Sequence, residues 1–461
     1  MTYLFYDLET SGLCSSFDQI FRFACIITDS DLKEIDRHEI SIKLRPDVVP
    51  SAAALSITHL SINDIKDGIC EHEALIKIHS LFNRPNQINI GYNSLSFDNN
   101  MLRFGFYRNL LDPYSHQFKN NMFRADAMNI NLLYYLYKTD VLSWGNNRPM
   151  KLENINNYNN LFDGKSHDAM VDVEVTVTLC KKLRDYDMRM WDYLINGFIK
   201  KNDLSRINNL SEIIINDKKY KIGIYTDIKL GYDNHCCCAV LYLGRHYSYK
   251  NQSLWMRLDY PDISDYLSSS DNTPRIIHRK DGEPGFILPY EKSYNYILGD
   301  ERINNVTKNI KWLEKHYNTL ERLMSHEQKR DYDPIENLDI DASIYTKGLF
   351  SDEEVSVINM FHSLDTNKKV DYIDNMQNNR IKDLGLRIIF RNYPDQLDDV
   401  SRGAVVSSIV KSDHINIKKE KRRSPEDAIE EANKILENDD INPEQITIIN
   451  DYIKYLESLN A

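Results

Sequence analysis

The sequence predicts an α/β protein built from three regions of different texture, and three observations carry that prediction. Residues 1–185 open with short apolar strands and pass into strand–helix alternation, a layered α/β pattern. Residues near 200–300 show apolar alternation punctuated by Gly and Pro, which suggests a small β-rich domain. From about Asn304 the apolar spacing becomes helical. The expected divisions are 1–190, 200–300 and 301–461.

The first strand is the stretch from Tyr3 to Glu9, closed by Thr10, Ser11 and Gly12. Strand side chains alternate faces, so Asp7 and Glu9 point the same way. Two acids side by side on an apolar strand repel each other and resist burial, and a divalent cation removes both costs. Phe21–Asp29 and Glu34–Leu44 read as a second and third strand, completing an antiparallel meander. Ser51–Leu60 is a loop or short helix, and Ser61-Ile62-Asn63-Asp64 has the form of a helix start. His72–Phe82 is helical by its apolar spacing.

Ile88–Tyr92 is a short strand leading into Asn93-Ser94-Leu95-Ser96-Phe97-Asp98, which opens a helix through Tyr107. Ala127–Leu136, Lys151–Asn160 and Ala169–Leu183 are further helices, with a loop at Trp144–Met150. In the middle region the strands fall at Ile213–Ile215, Tyr220–Ile224, Ala239–Leu243 and Ser253–Leu258. The C-terminal helices are expected at Val306–Met324, Asp352–Leu364, Lys368–Phe390 and from Ser424 onward. The basic run Lys418–Arg423 is expected to be a solvated linker, with a nucleic-acid backbone contact as the other reading.

Composition bounds the function. The chain has 461 residues, a net charge of −12, and no stretch approaching the roughly 20 apolar residues of a membrane span. The N-terminus enters strand pattern directly, so a cytoplasmic location is expected. Seven cysteines occur without a CxxC pair, which argues for buried reduced thiols, Cys236-Cys237-Cys238 among them, rather than zinc ligands or disulfides. A protein that grips nucleic acid by bulk charge would be basic. This one would have to work in a local groove, with metal ions offsetting phosphate charge.

Asp98 sits at a helix entrance, where an N-terminal cap is the simplest role. His167 follows the polar lead-in Asp163-Gly164-Lys165-Ser166, and Asp172 lies in the first turns of the next helix, behind the small Ala169. Together the set is four carboxylates and one imidazole. Oxygen-rich sites suit Mg²⁺ or Mn²⁺, and two such ions can hold both the attacking and leaving oxygens of a phosphodiester. An imidazole ordinarily titrates near about 6.5, so His167 can take a proton near neutral pH.

The ordered set D-x-E, N-x-x-x-F-D and H-x-A-x-x-D resembles the DEDDh exonucleases, which have an RNase H-like core. Within them, Phe17–Ile20, Gly91–Ser94, Phe106–Asn109, Arg124–Asp126, His167–Glu174, Asp341–Tyr345, Gly348–Asp352 and, more loosely, Arg387–Pro394 are similar to the exodeoxyribonuclease I family. The resemblance implies an RNase H-like mixed-sheet exonuclease domain, an SH3-like β domain and a helical C-terminal domain. It implies 3′→5′ removal of 5′-mononucleotides from single-stranded DNA with two Mg²⁺ ions, Mn²⁺ substituting. It implies that Asp7, Glu9, Asp98 and Asp172 are metal ligands and His167 the general base. Thr10, Asn93, Phe97, Arg124 and Lys151 would contact nucleic acid, Lys151 standing where the family often has Arg. A Lys neutralises phosphate but cannot fork onto it. The implied partners are single-stranded DNA and the acidic tail of single-stranded DNA-binding protein, for a monomer acting in DNA repair or recombination. Phe97, Tyr92 and Tyr107 are candidate stacking platforms. The alternatives are a 3′→5′ exoribonuclease acting on short RNA and a non-catalytic single-strand-binding protein.

Overall fold

In the computed structural model the described residues are 1–145, 149–164, 167–268, 276–331, 333–410, 413–438 and 440–459. Lys165 and Ser166 of the polar lead-in, and part of the Trp144–Met150 loop, lie outside them. Contacts divide the chain into two compact units, neither continuous in sequence. One comprises Met1–Phe123, Phe162–Val177 and Pro334–Ala461, the other Arg124–Leu161 and Thr178–Asp333.

In the first unit, Thr2–Thr10 (β1), Ile20–Thr28 (β2) and Glu34–Ser41 (β3) form the expected antiparallel meander. Two helices follow, Ala52–Thr58 (α1) and Glu71–Phe82 (α2). Gln87–Gly91 (β4) then adds to the other edge of β1 in parallel, giving the order β3-β2-β1-β4. The parallel pair is why β1 reads as almost continuously apolar: its faces are covered on both sides. Asp98–Arg108 (α3) packs with α2 over the sheet, and Phe82 is ringed by Tyr6, Phe23, Phe106 and His116 at 4.8–6.5 Å between centroids. Each such aromatic pair adds about 0.5–1.5 kcal/mol beyond its buried area.

Phe123–Asp126 (β5) straddles the division between the units, and Ala127–Tyr137 (α4) and Leu152–Asn159 (α5) belong to the second. Ala169–Tyr186 (α6) begins in the first unit. The second unit continues through Met188–Asn196 (α7) and Lys200–Asn208 (α8), two helices the alternation pattern did not announce. Its sheet comprises Glu212–Ile215 (β6), Lys218–Thr226 (β7), Cys237–Arg245 (β8), Gln252–Arg257 (β9), Ile276–Lys280 (β10) and Phe286–Pro289 (β11). The order is β10-β9-β8-β7-β11, with β6 paired to β7, all antiparallel. Cys236, Cys237 and Cys238 are fully buried free thiols, as expected of an apolar strand.

Three local expectations are corrected. Ser61–Asp64 makes the hydrogen bonds of a helix start, Ser61 N–H and Oγ both donating to Asp64 Oδ2 at 2.8 and 2.6 Å, but only turns follow. Val306–Met324 is not one helix but parts of two, Gly299–Lys315 and Tyr317–Lys329, divided at His316. Lys368–Phe390 likewise divides into Thr366–Asp374 and Asn379–Asn392, the second capped by the Asn378 side chain. That cap is a local alternative to helix continuation, which apolar period alone does not register. Asp399–Val410 is a helix that periodicity missed. Among the described residues no helix is long and apolar enough to cross a membrane.

The C-terminal helices share the first unit with the N-terminal sheet through a buried ionic network. Arg391 donates to Asp47 Oδ2 at 2.8 Å and Asp341 Oδ2 at 2.5 Å, and Arg387 to Asp339 Oδ1 at 2.6 Å. Arg45 binds Glu71 at 2.9 Å, and Arg422 reaches Asp341 at 2.6 Å. Burial alone would push the Asp47 and Asp341 carboxyls up. The surrounding arginines outweigh it and hold both well below the usual carboxylate range.

Buried histidines give this unit an acid-sensitive seam. His72 stacks on His362 at 5.3 Å and meets Asn109 Oδ1 at 3.1 Å. Burial, with His362 beside it, pushes His72 down to about 3. Below pH ~6.5 the unfolded chain takes up a proton that the folded one refuses, so stability falls from there to about pH 3, by up to ~1.4 kcal/mol per pH unit. Urea unfolding of the wild type and His72→Gln at pH 7.5 and 5 should show a shallower loss in the variant. Equal losses would contradict the assignment.

Candidate active site

β1 delivers Asp7 and Glu9 to one place, as its period of two requires. The first two turns of α6 deliver Asp172. One carboxylate oxygen from each of Asp7, Glu9 and Asp172 lies within 4.8 Å of the others. Asp98, buried at 7% exposure, is the first residue of α3. The N-cap itself is Phe97, so Asp98 is not the cap its position suggested.

Asp98 is outside that three-carboxylate cluster, but its charge is felt by both strand acids. Burial, then the charges of Asp98, Glu9, Asp172 and Asp168, hold the Asp7 carboxyl well above the usual range. Burial, then Asp172, Asp98 and Asp168, push Glu9 up to about 9, with Arg22 opposing. Like charges forced together in a low-dielectric place resist ionisation in this way. Such a donor set fits a hard divalent cation, which takes carboxylate oxygens and cancels the repulsion. Two contributors escaped the motif reading. Arg22 stands opposite Glu9 in the β1–β2 register, a signal that appears only once the strands are aligned. Asp168 caps α6, accepting from Met170 N–H at 3.1 Å.

Backbone geometry shapes the surroundings. Gly12 lets the turn after β1 close, since a Cβ there would stand 2.5 Å from Asp18 Oδ2. Gly91 ends β4, where a Cβ would collide with Ser94 at 2.5 Å. Asn93 (φ 57°) and His167 (φ 65°) both adopt the left-handed conformation, uncommon for residues with a side chain. His167 is half-buried, one residue before Asp168.

Of the remaining candidates, Thr10 is buried and spends its hydroxyl on Gly12 O at 3.0 Å. Asn93 is exposed and accepts from Ser96 Oγ at 2.8 Å, while Phe97 is half-buried against the core. Arg124 and Lys151 belong to the second unit, where Arg124 pairs with Glu283 at 2.8 Å and Lys151 with Glu153. Tyr107 is no stacking platform. It is fully buried, its hydroxyl 2.8 Å from Ser343 Oγ.

A mixed sheet whose leading strand carries two acids, with a third from a later helix beside them, has the fold of an exonuclease domain with an RNase H-like core. The exonuclease family model matches residues 4–180 and the exonuclease I C-terminal domain model residues 338–459. The two matched regions, in this order, support an exodeoxyribonuclease I of the DnaQ-like family. It is 32% identical to exodeoxyribonuclease I of Escherichia coli K12 over 199 residues, 42% of each chain. It is 31% identical to that of Buchnera aphidicola from Schizaphis graminum over 218 residues, 46% of this chain and 45% of the relative. The alignments thus span about half the length of these curated relatives. A zinc-bound complex of E. coli exonuclease I with single-stranded DNA superposes with a TM-score of 0.85 at 22% identity, covering 100% of this chain and 99% of that one. Exonuclease I from Methylocaldum szegediense gives 0.84 at 19%, covering 100% of both. Another solved neighbour, with a TM-score of 0.82 at 21% identity and 99% of each chain covered, is described as SSB/exonuclease I with an inhibitor.

Proposed function

We propose that the chain is a 3′→5′ exonuclease that degrades single-stranded DNA to 5′-mononucleotides by metal-assisted phosphodiester hydrolysis, in DNA repair or recombination. The observation that carries this reading is the convergence of Asp7, Glu9 and Asp172 within 4.8 Å, with the charge of Asp98 felt by both strand acids. Asp7, Glu9, Asp98 and Asp172 would hold two Mg²⁺ ions, or Mn²⁺ in their place, which when bound supply Lewis-acid stabilisation of the phosphodiester oxygens.

The chain's own residues do the rest. His167 removes the proton of the attacking water, imidazole being the side chain that changes charge near neutral pH. Water oxygen bonds to phosphorus, the bond to the 3′-oxygen breaks, and the phosphate stays on the released nucleotide. Thr10, Asn93 and Phe97 position the terminal nucleotide. Arg124 and Lys151 are proposed contacts of the second unit, Lys151 as a point charge. Single-stranded DNA-binding protein, through its acidic tail, is the proposed partner. A monomeric state and a cytoplasmic location complete the proposal, and seven free cysteines support a reducing compartment.

Digestion of 5′-end-labelled single- and double-stranded DNA, and of RNA of equal sequence, tests it. The expected result with Mg²⁺ is stepwise shortening of single-stranded DNA from the 3′ end and no shortening in EDTA. Degradation that persists in EDTA, or that prefers RNA, overturns it.

A further inference from the structure

The basic run Lys418–Arg423, expected to be a solvated linker, packs in part against the turn that ends β1. Lys418, Lys419 and Lys421 are exposed, but the side chains of Arg422 and Arg423 are only 13% and 27% exposed. The Arg422 guanidinium lies 4.4 Å from the centre of the Phe17 ring, anchored by Asp341 at 2.6 Å and Asp47 at 3.3 Å. Arg423 donates to Val49 O at 3.3 Å and stands 3.8 Å from both Asp18 Oδ1 and Glu431 Oε2. Asn416, buried, donates through Nδ2 to Cys14 Sγ at 3.2 Å, and its Oδ1 accepts from the N–H groups of Lys418 and Glu420.

All three side chains bear on the segment Ser11–Gln19. Within it, Asp18 accepts from Ser11 Oγ at 2.7 Å and Cys14 N–H at 2.8 Å. Ser11 N–H donates to Gln19 O at 2.9 Å, and Gln19 N–H to Ser11 Oγ at 3.0 Å. This closure sits where β1 and β2 lose regular register, between Glu9 and Thr10. Glu9 faces Arg22 and Thr10 faces Ile20, which leaves Phe21 of β2 as the extra residue, so the turn that joins the two strands sets the register in which Glu9 is held.

We infer that Asn416–Arg423 is a positioning strap: Asn416, Arg422 and Arg423 hold the Cys14–Asp18 turn and thereby aim Glu9 at Asp7 and Asp172. The inference rests on the nuclease reading of that carboxylate cluster. Partners that hydrogen-bond a metal ligand directly are worth about 10–100-fold in metal affinity or activity, and a strap that acts through the turn belongs at the lower end.

The test uses the full chain with Arg423→Ala, Asn416→Ala and Arg423→Lys. Mn²⁺ affinity by titration calorimetry and kcat on single-stranded DNA should each fall about tenfold in the alanine variants. KM for DNA should stay put, and Arg423→Lys should recover most of the loss. Unchanged Mn²⁺ affinity with only a lower melting temperature overturns the strap, as does a rise in KM alone. Should Arg423→Ala not fold, Asn416→Ala, which removes no charge, gives the same readouts. If the wild type binds Mn²⁺ but cuts no DNA, the nuclease reading fails, and the strap is judged on Mn²⁺ affinity.

Discussion

Asp7→Asn should remove nuclease activity while leaving the metal-free protein about as stable as the wild type. Asp7 is half-buried among like charges, with oxygens of Glu9 and Asp172 within 4.8 Å. In the metal-free protein both strand carboxyls are held toward their protonated forms, so the amide replaces a neutral acid of the same shape and the fold loses little. Activity loses one of the carboxylates that would hold the metal ions, and with it their stabilisation of the transition state, a loss of roughly 10²–10³-fold or more. His167→Ala should cost about 10²–10⁴-fold, the range for a general base. Kinetics alongside thermal melts in EDTA check both. A melting temperature that collapses in Asp7→Asn would make Asp7 a structural residue, and full activity in both variants would defeat the assignment.

Arg391→Met should destabilise the first unit by about 3–5 kcal/mol, the cost of breaking one side of a buried ion pair. Arg391 is 1% exposed and sits between Asp47 and Asp341, whose side chains have no exposure. Methionine fills much of the volume but leaves those carboxylates short of a counter-charge. Arg391→Lys should fall between, since an ammonium cannot serve both acids with a planar fork. Equilibrium unfolding in urea measures the difference. A change under about 1 kcal/mol would mean that Arg45, Arg387 and Arg422 already balance the acids, as the lower end of surface-pair energies implies.

The convergence of Asp7, Glu9 and Asp172 was legible because it follows short-range rules. A period of two puts Asp7 and Glu9 on one face, and a helix start after a polar lead-in places Asp172. Arg22 and Asp168 were not legible, because their effect on Glu9 depends on strand register and on how α6 approaches β1. The echoes at Asp341–Tyr345 and Arg387–Pro394 were visible as lettering only. Folding explains them as two sides of one ionic network, Asp341 with Arg387 and Arg391. The Lys418–Arg423 run was misjudged for a related reason: six charged residues in a row read as solvated, yet two of the arginines find buried or half-buried acids far away in sequence. Helix lengths in 304–390 failed where a break carries no Gly or Pro, as at His316.

Calorimetric titration of Mn²⁺ into the wild type and Asp7→Asn at one pH puts the convergent acids to their most direct trial. The wild type should bind saturably and the variant should lose that binding. Equal binding by both proteins, or none by either, would contradict a cation site built from Asp7, Glu9, Asp98 and Asp172.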